Sequence, residues 1–402
     1  MSAHHQSRDT HRRVADPRSG DRRDEERVSD LVTMLTAGDP IADAVVAELD
    51  TLGPRARRAL DAGLLHGAAG AGERLPEAVA ALLRQVETPP AAVNPLLPHR
   101  GDVVSLSVPP LWFGLCSLTS ALTHICSSPA LARQLPRAGH PASVSMSRLA
   151  ETGIWARQAI RPGGLLHGGP GYVATVHLRL RHARLRARSL KDWDTGAPGL
   201  PVGQLDMART WLGFTSVAFG ALASVGIDTT PDEERSLYQY WSYVAHLLGL
   251  DERLWRNVTD HAGARRLRNL IDAVSGAPAE HSKALTTTMI DAQARAMAAA
   301  PGAVLSEEQF RTLVHSVLRR TFGENTADRM GIPIPAAIDL MPLVGRLNRE
   351  ARYWQTYSPA SAGEARRRAL AGPGPELIAA VLPSVGAHRR PSMTGHRGAP
   401  AA

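Results

Sequence analysis

Between Arg148 and Arg188 the chain reads RLAETGIWARQAIRPGGLLHGGPGYVATVHLRLRHARLRAR, its densest run of residues able to do chemistry. The break from Pro162 to Gly171 divides this run into two predicted helices. On the first, Arg148, Glu151 and Thr152 stand at i, i+3 and i+4 and so share a face. On the second, His182 has Arg179 three residues before it and Arg186 four after, which sets an imidazole between two guanidiniums on one stripe. Like charges beside an imidazole disfavour its protonation, and neutral imidazole is the form that ligates metals. His177, five residues earlier, lies about 140° around the helix and cannot share that stripe. No HExxH or HxxxH pattern supplies a second ligand, so a zinc site is not supported. A single histidine suffices for haem, whose porphyrin provides four ligands, and flanking arginines could then pair with its propionates. The alternative is a buried or surface histidine on a basic helix.

The other candidates are weaker. His124 precedes Ile125 and Cys126 in an apolar segment and reads as a core or pocket-lining residue. His246, His281 and His315 stand singly on predicted helices. Cys116 and Cys126 read as small core residues, with thiolate ligation of haem as the alternative. Trp112, Trp155, Trp211 and Trp241 read as core. No GxSxG elbow, GxGxxG turn or Walker loop occurs, so hydrolase and nucleotide chemistry have no anchor.

Helical periodicity dominates the elements that must position these groups. Aromatics are only 4% and alanine is abundant, which favours helices over a β-sandwich. The pattern predicts helices over Pro40–Asp50, Leu75–Val86, Val108–Ile125, Ser145–Ile160, Pro170–Ser189, Gln204–Val225, Pro231–Leu248, His281–Ala300, Glu307–Thr321 and Ala336–Tyr353. In the first of these, Ile41, Ala44, Val45 and Leu49 form the expected buried stripe. Thr230, Pro231 and the acids Asp232, Glu233 and Glu234 make a well-formed helix start. The expected fold is all-α. One helical domain spans 26–384, between polar tails at 1–25 and 385–402 that read as disordered.

Charge and hydropathy bound the partners. The formal net charge is +8, but much of the basic excess lies near the ends, in HRRVADPRSGDRRDEER and HRRPSMTGHRG, without aromatic interleaving. Nucleic-acid binding is therefore not expected. The most apolar stretch, Val103 to Cys126, is interrupted by Pro109 and Pro110, so stable membrane insertion is not expected either. Met1 to Arg27 lacks an apolar core, which predicts a cytoplasmic protein with reduced thiols. The sequence does not set an oligomeric state.

These motifs together resemble the haem-dependent oxygenases typified by latex-clearing protein and MpaB. GDPIADAVVAEL resembles the family's opening helix. LWFGLCSLTSALTHICSSPALARQL resembles its apolar helix and Ser-Pro turn. RLAETGIW resembles its Arg-x-x-x-Thr motif, and VHLRLRHARLR its haem helix. TWLGFTSVAFGAL and DEERSLYQYWSYVAHLLGLDERL resemble later blocks in the same order. The resemblance implies a globin-like helical core carrying haem b, with O2 as co-substrate and a small lipophilic substrate. It implies His182 as the axial ligand, Arg179 and Arg186 beside the cofactor, and Arg148 and Thr152 in the distal pocket. Family activities cleave carbon–carbon double bonds of polyisoprene or of a prenyl side chain. The chain also departs from the family. Glu151 stands where latex-clearing proteins carry a distal lysine, and Ala130 to Ser147 contains no Asp or Glu to serve as their upstream base. The expectation is therefore an oxygenase acting on a small unsaturated metabolite rather than on rubber, with Glu151 as the candidate base. The alternatives are hydroxylation on the same fold, and a non-catalytic helical binding protein.

Overall fold

Prolines and side-chain caps set where the helices begin. The computed structural model describes residues 27–371, apart from 72–74, 92, 135–140, 194–198, 301 and 336–340. At 71, 133–134, 141–149 and 192 it describes the backbone alone. The expected tails at 1–25 and 385–402 lie outside the described residues. Every regular element among the described residues is helical, as the periodicity predicts.

Helix α1 spans Pro40–Leu52, and its cap Asp39 accepts the amide of Ala42 at 3.1 Å. It is followed by α2 (Pro54–His66) and α3 (Glu77–Glu87). Helix α4 runs as Pro110–Trp112, a π-helical stretch Phe113–Thr119, and Ser120–Cys126. Helices α5 (Pro141–Ile160) and α6 (Pro170–Ser189) form an antiparallel pair. Helix α7 is interrupted in the same manner as α4: Gln204–Leu212, a π-helical Gly213–Val217, then Ala218–Ser224. The longer helices that follow are α8 (Pro231–Leu247), α9 (His261–Ser275), α10 (Glu280–Ala298), α11 (Glu307–Phe322), α12 (Met341–Tyr357) and α13 (Pro359–Ala371).

Several predicted boundaries hold. Helix α6 has its predicted limits, and α8 begins in a capping box in which Thr230 and Glu233 bond reciprocally. Of the helices longer than ten residues, three were not anticipated: α2, α9 and α13. In α2 the arginine-rich face and Gly63 mask the apolar period; that glycine marks close packing, since a Cβ there would lie 2.3 Å from Leu83 Cδ1. The α1 stripe is also corrected. Ala42, Val45, Val46 and Leu49 are buried, whereas Ala44 is exposed, because α1 packs between α3 and α6 rather than against one surface.

The core is filled by Trp211, Trp241, Tyr172, Tyr238 and Tyr240 together with aliphatic side chains from most helices. Cys116 and Cys126 are buried within it, as expected. Among the described residues no single helix is long and apolar enough to cross a membrane.

The α5–α6 pair positions the functional candidates, and Gly171 permits its closest approach. A Cβ there would lie 2.5 Å from Gln158 O and 2.7 Å from Ala159 Cα, both on α5. Backbone cannot yield as a side chain can, so Gly171→Ala must separate the helices. The expected cost is about 1–3 kcal/mol, read as a lower midpoint of thermal unfolding. An unchanged midpoint would show that the pair separates freely.

Candidate active site

Helix α6 presents two working faces. At 100° per residue, Arg179 and Arg186 differ by about 20° and lie nearly on one line, whereas His182 lies about 40–60° to one side of it. The structure follows this arithmetic. Tyr172, Thr175, Val176, Arg179, Ala183 and Arg186 are buried against the core. Leu178, Arg181, His182 and Leu185 face a cavity of about 460 Å³.

That cavity brings three of the predicted site residues together: His182 from α6, and Glu151 and Thr152 from α5. Its walls are mostly apolar. Leu122 and Ile125 come from the last part of α4, Leu178 and Leu185 flank His182 on α6, and Trp155 and Phe214 stand behind them. Trp155 and Phe214 meet edge to face with centroids 5.1 Å apart, and Phe214 stacks on Trp241 at 5.7 Å. Two hydrogen bonds hold this aromatic group. Trp155 Nε1 donates to Thr175 Oγ1 at 3.0 Å, and Trp241 Nε1 donates to the buried Asp102 carboxylate at 2.9 Å. Phe214 reaches the cavity from the π-helical turn of α7, a distortion often found at functional sites.

At the solvent rim, Glu151 forms an ion pair with Arg181 across the two helices. Both side chains are partly exposed, so the pair adds little to stability. Its effect is positional: it holds the Glu151 carboxylate at the cavity mouth. Arg148 lies on α5 one turn before Thr152, but its side chain is outside the described residues.

Arg179 and Arg186 are placed differently from the expectation. Arg179 is 2% exposed and grips Asp39 through Nε at 2.6 Å and Nη2 at 2.8 Å, with Gln85 Oε1 at 2.8 Å. Arg186 donates to Asp43 at 2.6 Å and to the Val202 carbonyl. Asp39 and Asp43 lie one turn apart on α1, so two ion pairs bind α1 to the buried face of α6. Neither arginine lines the His182 cavity. The single stripe expected of Arg179, His182 and Arg186 is thus corrected: the offset of about 40–60° sends the guanidiniums to α1 and the imidazole to the cavity. His177 faces away, 3.3 Å from Asp61 of α2.

The earlier part of α4, from Trp112 to Leu118, does not line this cavity. Trp112 and Leu115 are core residues, and Phe113 lines a separate small cavity beside Arg157. The π-helical stretch carries an extra residue per turn, which shifts the phase so that Leu122 and Ile125 face His182 instead. Arg181, Leu178 and Leu185 were missed at the level of sequence. The two leucines were legible, standing four before and three after His182. The Arg181 partnership was not, since Glu151 lies 30 residues away.

The donor set defines what could be held here. Among the described residues no group of three or more His, Cys, Asp or Glu could hold a bare metal ion. One imidazole over an apolar cavity suits instead an iron already held by a macrocycle.

Residues 114–352 match the family described as ER-bound oxygenase mpaB/B′/Rubber oxygenase, catalytic domain. The chain belongs to this family. The mpaB/rubber oxygenase region contains Arg148, Glu151, Thr152, Arg179, His182 and Arg186, whereas Asp39 and Asp43 lie before it. The fold is similar to that of a solved structure, latex clearing protein LCP in the closed state, with a TM-score of 0.59 and 16% identity. That match covers 84% of this chain and 91% of the other, and at such identity it concerns the fold. No curated protein matches the chain. The family resemblance seen in the motifs is therefore borne out.

Proposed function

We propose that the chain is a haem-dependent oxygenase that uses O2 to cleave a C=C bond in a small unsaturated lipophilic compound. The observation that carries this reading is the cavity of about 460 Å³, where one imidazole faces a threonine and a glutamate between apolar walls. Its size falls within the range of about 300–1,000 Å³ typical of small-molecule sites.

Haem b held by His182 would supply the iron centre at which O2 reacts. The chain's own residues do the rest. His182, which faces the cavity from α6, would hold the iron, and α5 contributes Glu151 and Thr152 to the same cavity. The Thr152 hydroxyl is placed to donate a hydrogen bond where negative charge develops, and Arg148, one turn earlier, is the candidate second donor. Leu122, Ile125, Leu178 and Leu185 provide the apolar contact for an alkene and exclude water. Glu151 is placed to take a proton from the carbon next to the double bond, with Arg181 holding its carboxylate. Since Arg179 and Arg186 are engaged with Asp39 and Asp43, we assign them the positioning of α6 rather than contact with the cofactor.

Turnover of an unsaturated lipophilic substrate under 18O2 tests the reading. Cleavage of C=C by O2 places one oxygen atom in each of two carbonyl fragments, so both should carry label. An intact substrate carrying one added oxygen would identify a hydroxylase instead. Absence of label would remove the oxygenase reading for this chain. Glu151→Gln should slow turnover by about a hundredfold or more, the usual weight of a general base. Undiminished product would exclude Glu151 from proton transfer.

A further inference from the structure

A second cavity, of about 390 Å³, lies on the opposite side of α4 and α7 from the His182 cavity. Consecutive residues divide between the two. Leu122 and Ile125 face His182, while Thr123 and His124 face the second cavity; on α7, Thr210 faces His182 and Arg209 the other.

The second cavity is rich in donors and positive charge. Arg209, Arg268 and Arg329 line it, against one lining carboxylate, Asp272. Arg209 is 2% exposed; its Nη1 donates to Ser127 Oγ at 3.1 Å and to Asp272 at 2.6 Å. Among the described residues its Nη2 has no hydrogen-bond partner. The same holds for His124 Nε2 and Thr123 Oγ1, on side chains that are equally buried. Buried polar atoms are rarely left unbonded, because each costs about 1–3 kcal/mol. Burial, then Arg209 and Arg268, lower the His124 pKa well below the ordinary imidazole range. Asp206, three residues before Arg209, does not line the cavity and accepts a hydrogen bond from Ser128 at 2.8 Å. The rest of the lining is apolar and includes Phe322, which stacks on His124 with centroids 6.4 Å apart, Met330 and Pro278.

We propose that this cavity binds a small organic oxyanion, a carboxylate or phosphate head carried on a compact apolar body. The head accepts hydrogen bonds from Arg209, His124 and Thr123 and balances the excess of guanidinium. A bare oxyanion would fill only part of the space, since 390 Å³ corresponds to about thirteen water volumes. The Phe322, Met330 and Pro278 side takes the body. The site is separate from the proposed oxygenase chemistry and does not depend on it.

The test is calorimetric titration of the full chain with inorganic phosphate and, separately, with benzoate, followed by the imidazole 15N resonances of His124. Saturable one-site binding of either probe is expected, moving the His124 resonances towards the protonated form. Phosphate alone would identify a phosphate head, and benzoate alone a carboxylate with an apolar body. Arg268→Gln and Arg329→Gln remove groups that make no ion pair among the described residues, so both variants should keep the wild-type unfolding midpoint. Each removes one of the guanidiniums whose charge the anion balances, and should weaken binding by about tenfold. His182→Ala should leave the affinity unchanged. Absence of saturable binding by both probes, or unchanged affinity in the two arginine variants, would overturn the proposal and leave the cavity to water.

Discussion

His182→Ala is expected to abolish haem retention and the Soret band, while His177→Ala keeps both. The two histidines differ in direction rather than in chemistry. His182 lines the cavity between α5 and α6, whereas His177 lies 3.3 Å from Asp61 on the outside of α2. If His182 holds the iron as proposed, its truncation would leave the cavity with no other ligand among the described residues except the Glu151 carboxylate, which is engaged by Arg181. His182 is half-buried beside an existing cavity, so its truncation should lower the unfolding midpoint only slightly. His182→Gly with added imidazole provides the positive control, because an exogenous ring can occupy the vacated volume and restore the band. An unchanged Soret band in His182→Ala would show that another residue holds the cofactor, or that none does.

Local features were legible wherever chemistry is local. The start of α8 at Thr230 and the limits of α6 follow from caps and prolines that lie within four residues of each other. The grouping of Glu151 and Thr152 opposite His182 was also implied, because the motifs sit on adjacent helices joined by the short segment from Arg161 to Gly169. Two kinds of information were not legible. The first is phase: the π-helical turns at Phe113–Thr119 and Gly213–Val217 change which residues of α4 and α7 face the cavity, and no residue type marks them. The second is partnership at a distance. A stripe of Arg179, His182 and Arg186 looks the same in sequence whether the guanidiniums meet a cofactor or an acid, and Asp39 lies 140 residues away. The offset of His182 from the arginine line, about 40–60°, was present in the numbering, but only the α1 packing gives it meaning.

Asp39→Ala is expected to destabilise the fold by about 3–5 kcal/mol, the cost of leaving a buried charge without its partner. Arg179 is 2% exposed and would retain only Gln85 Oε1 among its hydrogen-bond partners, at 2.8 Å. Water cannot readily replace the carboxylate, because Gly249 closes over the pair: a Cβ there would lie 2.2 Å from Arg179 Nε and 2.5 Å from Asp39 Oδ2. The α1 cap on Ala42 would be lost as well, worth about 1 kcal/mol more. The measurement is urea unfolding of Asp39→Ala and of the double variant Asp39→Leu/Arg179→Met. A shape-matched apolar pair avoids the stranded charge, so the double variant should recover most of the lost stability. The same variant separates the two roles open to Arg179. If the guanidinium only anchors α6 to α1, the double variant regains haem affinity along with stability. If stability returns while haem affinity stays low, Arg179 contacts the cofactor, and the assignment of its role to positioning fails.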